Sequence, residues 1–351
     1  MNAQAELALP GIGLSAEDLA KATKILNLLE TVTSLSVVGE FLRQRNLPHA
    51  SDSWEELREK RMLGALRARR LAIGDLSQLL AECEEYRRSH VFLYTCRRRE
   101  AEQFADRARM TKVCQQLGLE QVLAEGLIEE IPSVPTFTQI REQTDPKGRC
   151  WVFKVVESRR ERRFLSETEE GNRLRREWEF IPVRAVNVAC LHETGLLELR
   201  VQGHWSSTQY QDDLDRFWEM IKDFLPPGRF APFSLAKAKA YLWANRASLK
   251  HRIRFSDSRM RNNAGTTLTA STGAAQADLF EDSGAAASLD RFLDHGAHCD
   301  SSNVWWRPVE GVLTREVHTL LSGLSNEFAV TASCTRSEYE YILNELRVYC
   351  R

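Results

Sequence analysis

One short stretch of the chain gathers potential ligands: DHGAHCD, at 294–300, supplies Asp294, His295, His298, Cys299 and Asp300. A His-x-x-His-Cys cluster offers three donors suited to a transition metal, but such a site ordinarily takes a further, remote pair. His318 or Cys334 would provide it only if a sheet brought them near; otherwise the stretch is a polar loop with a half-buried cysteine. A second group, Glu157, Glu161, Glu167, Glu169 and Glu170, has the residue type of a nuclease carboxylate set. A nuclease would need an Asp and a Glu-x-Lys on adjacent strands, and FKVVESRR does not give that order. The chain has no GxxxxGK[ST] phosphate loop, no GxGxxG after a strand, no GxSxG elbow and no HExxH helix. These readings point away from catalysis and imply no cofactor.

Arginine is the stronger signal. The net charge of −1 hides local asymmetry. Residues 86–112 carry eight basic side chains against three acidic ones, and 246–261 carry six against Asp257 alone. Residues 278–300 reverse the sign, with six acids and only Arg291. Basic side chains grip phosphates by charge and counterion release, and need only share a surface. Three segments qualify. YRRSHVFLYTCRRRE sets Arg87 and Arg88 before an apolar run, Val91 to Tyr94, and Arg97, Arg98 and Arg99 after it. ESRRERRFLSE crowds Arg159, Arg160, Arg162 and Arg163 at a hairpin tip or strand edge. RASLKHRIRF alternates Arg252 and Arg254 with Ile253 and Phe255. Each has a bland counterpart: a solvated rim, or an edge strand protected by charge. Arginine outnumbers lysine 38 to 10 throughout, which tempers every such argument. Trp205, Trp305 and Trp306 are of a type that stacks on bases, but adjacent tryptophans in a strand face opposite ways, so one of the pair belongs to the core.

The elements that must position these residues divide in two. Residues 15–127 have helical periodicity throughout, with Ser15 as an N-cap and Ser53 with Glu56 forming a capping box. The helix DLSQLLAECEEYRRSH runs into the apolar plug 91–94. IPSVPTFTQ marks a boundary, and beyond it the period becomes two. Strands are expected in RCWVFKVVESRR, in EWEFIPVRAVNVACLHETGLLELRVQG with a turn at 192–195, in HRIRFSDSRMRNN and in GTTLTAS. The last strands are VWWRPV, LTREVHTLL and EFAVTASC, before a closing helix capped by Thr335 and Glu338. The stretch 271–288 is expected as a flexible loop with a short helix. Consecutive strands with separate helices give an α+β class, mostly antiparallel: an all-helical domain over 1–130 and an α+β domain over 135–351.

Eight scattered cysteines without a CxxC pair fit reduced thiols. No run approaches the length of a membrane span, and the N-terminus lacks a secretory pattern, so a cytoplasmic protein is expected, or a nuclear one if eukaryotic.

The order FLRQRN, AIGDLSQLLAECEEYRRSHVFLYTC, CWVFKVVES and FAVTASCTRSEYEYILNEL resembles the centromere protein N family of the inner kinetochore, although no single motif in it is specific. That family joins a helical, pyrin-like domain to an α+β domain. The resemblance implies binding to DNA or chromatin without catalysis. The leading expectation is thus a non-enzymatic nucleic-acid-binding protein that contacts duplex DNA through its backbone. The alternative is a protein–protein adaptor in a prokaryotic phage-defence system, its helical domain docking a protein partner.

Overall fold

The computed structural model describes residues 14–145, 148–205, 210–274, 276–321 and 324–351. Of the N-terminal stretch that bears on a secretory pattern, residues 1–13 lie outside them. The chain forms two compact units, Met1–Glu84 and Glu85–Arg351.

The first unit is helical. Ser15 accepts a hydrogen bond from the Asp18 N–H and starts helix Ala16–Val32, which buries Ala22, Ile25, Leu26 and Leu29 at the expected spacing. Leu35–Gln44 follows. Ser53 then accepts from the Glu56 N–H and opens a helical stretch over 54–67, whose middle, Leu57–Met62, is wound as a π-helix. The wider turn keeps Leu57, Met62, Leu63 and Leu66 all buried. Helix Ile73–Glu85 brings the chain to the unit boundary.

The second unit is built on one antiparallel sheet, and this settles the class as α+β. Its strands are β1 (Ser89–Thr95), β2 (Thr136–Asp145), β3 (Gly148–Glu170), β4 (Arg173–His192), β5 (Leu196–Gln202), β6 (Ala231–Pro232), β7 (Ile253–Arg261), β8 (Thr267–Ser271), β9 (His298–Trp306), β10 (Val317–Leu321) and β11 (Glu327–Val330). The spatial order is β2-β3-β4-β5-β1-β11-β10-β9-β7-β8, with β6 pairing β1 at one end.

The expectation of helix throughout 15–127 is corrected here. The plug of YRRSHVFLYTCRRRE is a central strand, so 85–127 belongs with the sheet rather than with the helical unit. Ser89 pairs with Gln202 on one side and Val330 on the other. Val, Phe, Leu and Tyr in a row favour a strand buried on both faces, and alternation sends them both ways. Val91 and Leu93 join a core with Phe328, Trp306 and Ile342, whereas Phe92 joins a second core with Leu199, Phe153 and Phe217.

Each core seals a different half of the sheet. Helices Arg98–Phe104, Arg107–Leu117 and Gln211–Ile221 contribute to the core over β2–β5. Helices Ala236–Ala244, Ser283–Asp294 and Arg336–Tyr349 contribute to the core over β7–β11. The short helix expected in 271–288 begins at Ser283, capped by Asp282. Thr335 and Glu338 form the reciprocal cap expected for the last helix.

Candidate nucleic-acid interface

The longest strands outlast their neighbours in the sheet. β3 and β4 stay paired from Cys150↔His192 to Glu170↔Arg173. Their neighbours stop early, β2 at Val156 and β5 at Gln202, whose side chain bonds the Val186 N–H. From Glu157 and Ala185 onward the pair continues alone, a two-stranded ribbon about 40 Å long at ~3.3 Å per residue. It extends past the sheet edge that also carries Arg87 and Arg88, beside Ser89.

Register decides what the ribbon shows. Arg160 lies opposite Pro182, Arg162 opposite Phe180 and Phe164 opposite Trp178. Alternation puts these six on one face. The guanidinium of Arg160 stands 5.1 Å from the Phe180 ring centre, and that of Arg162 5.5 Å from Trp178. Phe164 meets Trp178 edge-on at 5.3 Å. Trp178 remains 48% exposed and Phe180 58%, so the rings support the arginines rather than a core. Among the described residues, neither Arg160 nor Arg162 has a carboxylate partner. Arg163, on the other face, pairs with Glu179, and Arg176 pairs with Glu167.

The root of the ribbon is locked by a buried polar network. Arg159 donates to Glu157, to Asn187 Oδ1 and to the Gln202 carbonyl. Glu157 also accepts from Asn187 at 2.9 Å. The His204 ring bridges Glu161 at 2.9 Å and Asp213 at 2.5 Å, tying the ribbon to helix Gln211–Ile221. The carboxylates weighed as a nuclease set therefore do not converge: Glu157 and Glu161 are structural, Glu167 is paired, and Glu169 and Glu170 stand exposed near the tip.

The eleven arginines singled out from sequence have three fates. Arg159 and Arg254 are corrected as phosphate contacts, because both are buried with their donors engaged within the fold. Arg254 is 2% exposed, grips Glu316 with two nitrogens and lies over the Trp305 ring. The alternation that marked it as part of a basic face instead buries it. Arg252 is held by Glu345 and the Tyr341 hydroxyl. Arg160, Arg162 and Arg163 lie on the ribbon; Arg88 is exposed at its foot and donates to the His204 carbonyl, and Arg87 is half-buried next to it. Arg97, Arg98 and Arg99 are exposed at the opposite end of β1, where Arg98 pairs with Glu102 and the Arg97 N–H donates to Glu100. The charge is thus split between two sheet edges. Trp178, Phe180 and Phe164 were not singled out; their signal was aromatic alternation within a hairpin longer than its neighbours.

The 294–300 stretch disperses its ligands. His295 ends a helix and contacts the Arg291 carbonyl, Cys299 meets Ser302, and Asp300 pairs with Arg259 and Arg261. Trp306 is the core member of its pair, while Trp305 stacks on His318. Among the described residues, the ligand atoms that do come within metal-site spacing are those of Cys150, Cys190 and His192, at the sheet end of the ribbon strands. No helix among the described residues is long and apolar enough to cross a membrane. Comparison with protein-family models, curated proteins and solved structures gives no match for this chain.

Proposed function

We propose that the chain is a non-enzymatic nucleic-acid-binding protein that engages duplex DNA through the β3–β4 ribbon. The observation that carries this reading is the ribbon face itself, with Arg160 and Arg162 held over exposed Phe180 and Trp178. A major groove admits a two-stranded ribbon, and phosphates on either side would meet its arginines. Between Ser158 and Arg184 the ribbon has eight basic residues and six acidic ones. The excess is modest, so affinity rests on the arginines without carboxylate partners and falls steeply with salt. Arg88 and Arg87 extend the same edge. The resemblance to the centromere protein N family agrees in kind with this reading.

Fluorescence anisotropy with a labelled duplex at low and moderate salt tests it. Binding at low salt with weak sequence preference is expected; its absence there ends the proposal. A second reading, a protein adaptor, is favoured by Phe164, Leu165, Leu174, Trp178 and Phe180, all exposed on the ribbon. A stoichiometric protein partner captured in the presence of nuclease, and lost on truncating the ribbon, would select that reading.

A further inference from the structure

We propose that Cys150, Cys190 and His192 form a zinc site with its fourth position open to a cleft. The strand geometry places them together. Cys150 lies directly across from His192 in the β3–β4 register, and Cys190 precedes His192 by two residues. All three side chains therefore share one face. One ligand atom from each comes within 4.8 Å of the other two. Tetrahedral zinc bonds of ~2.3 Å to sulfur and ~2.0 Å to nitrogen need ligand atoms somewhat closer than that, about 3.5–3.8 Å apart, a rotamer adjustment away.

The surroundings separate this trio from two cysteines that merely share a core. His192 Nε2 is 2.5 Å from Glu198 Oε1. Metal-bound histidines characteristically donate their other ring N–H to a carboxylate, which fixes the tautomer and leaves the remaining nitrogen for the ion. Here that nitrogen is Nδ1. Glu198 is itself held by Arg200 at 2.7 Å and by the Tyr339 hydroxyl at 2.6 Å, so a second layer of bonds fixes the orienting group.

Charge closes as well. The Glu198–Arg200 pair is neutral, so a divalent ion with two thiolates and a neutral imidazole adds no net charge to a buried place. Loading requires each thiol to release its proton to solvent as its Zn–S bond forms. A cleft of about 70 Å³ opens beside the trio, lined in part by Glu193, Thr194, Asn344 and Arg347. Its volume accommodates two waters, enough for a water or small donor as the fourth ligand. Three protein ligands leave the fourth position of a tetrahedral ion open, and two sulfurs select zinc over magnesium or calcium.

The test uses the full chain, reduced, stripped by a chelator and titrated with Co2+. One equivalent should bind, with sulfur-to-cobalt charge-transfer absorption and the visible bands of tetrahedral cobalt, and Zn2+ should displace it. Cys150→Ser and Cys190→Ser should lose the charge-transfer band, and Glu198→Gln should bind about 10–100-fold more weakly. Cys350→Ser, at the chain end, should titrate like the unmodified protein. Circular dichroism establishes that each variant is folded, and the titration of the unmodified chain stands without them. The proposal is overturned if the folded, reduced chain gives no charge-transfer band. A band that survives both serine variants overturns it equally, as does a Cys150–Cys190 disulfide formed by a chain whose reduced state takes up no ion.

Discussion

Arg159 and Arg160 are consecutive, and the fold assigns them opposite work, which makes them a sharp test of the interface. Arg159 is buried with Glu157, Asn187 and the Gln202 carbonyl around it. Replacing it by Ala strands the Glu157 carboxylate in a dry place. Breaking a buried pair from one side costs about 3–5 kcal/mol. Glu157 keeps its bond from Asn187 and lies 4.0 Å from Arg216, so the lower end applies, about 3 kcal/mol. For a unit of this size that lowers the melting temperature by roughly 6–12 °C. Arg160→Ala with Arg162→Ala removes two exposed cation–ring contacts, at about 0.5–1 kcal/mol each. The double variant should remain folded at 25 °C and lose affinity for duplex DNA. Its log-affinity against log-salt slope should flatten by roughly 1.8, at ~0.9 per phosphate contact. Thermal melts and anisotropy titrations at several salt concentrations read both effects. A double variant that melts normally and keeps the full slope would refute the ribbon as the gripping surface. An Arg159→Ala protein of undiminished stability would refute the account of its root.

Two further perturbations probe the frame. Glu316 is held below the ordinary carboxylate value of 4.5 chiefly by its hydrogen bond from Arg254. A depressed carboxylate stabilises the fold above its unfolded value and loses that contribution as pH falls through its folded one. Glu316→Gln should therefore lower stability at neutral pH, and urea titrations should show the gap to the unmodified protein closing below pH 4.5; a gap independent of pH contradicts the pairing. Gly195 closes the β4–β5 turn at φ +91°, and an added Cβ would collide with the Cys96 carbonyl oxygen. Gly195→Ala should cost more than about 2 kcal/mol, read as a lowered urea midpoint, and a neutral result would show that the turn relaxes.

What the sequence made legible was local. Ser15, Ser53 and Thr335 announce their helices because a cap needs only its own next three residues. The β4–β5 turn and the strands after it follow from alternation and turn chemistry of the same short range. β1 shows where such reading stops. HVFLYT lies between helical patterns, and what makes it a strand is pairing with β5 and β11, the latter more than 230 residues away. β2 was hidden in the same way, since TFTQI looked like a boundary until β3 supplied its partner.

The arginines carry the sharper lesson. Charge is visible in sequence, but its availability depends on what the fold sets opposite. Arg254 stands between Ile253 and Phe255 and Arg162 between Glu161 and Arg163, and neither pattern says which of the two is available. Glu316, sixty-two residues on, neutralises and buries one. Phe180 and Trp178, across a ribbon whose neighbouring strands have already ended, leave the other in solvent. What lies opposite an arginine, and whether the neighbouring strands extend as far, therefore decides whether it becomes core or interface. In this chain the decision falls at Glu157, where β2 has ended and the sheet gives way to the ribbon.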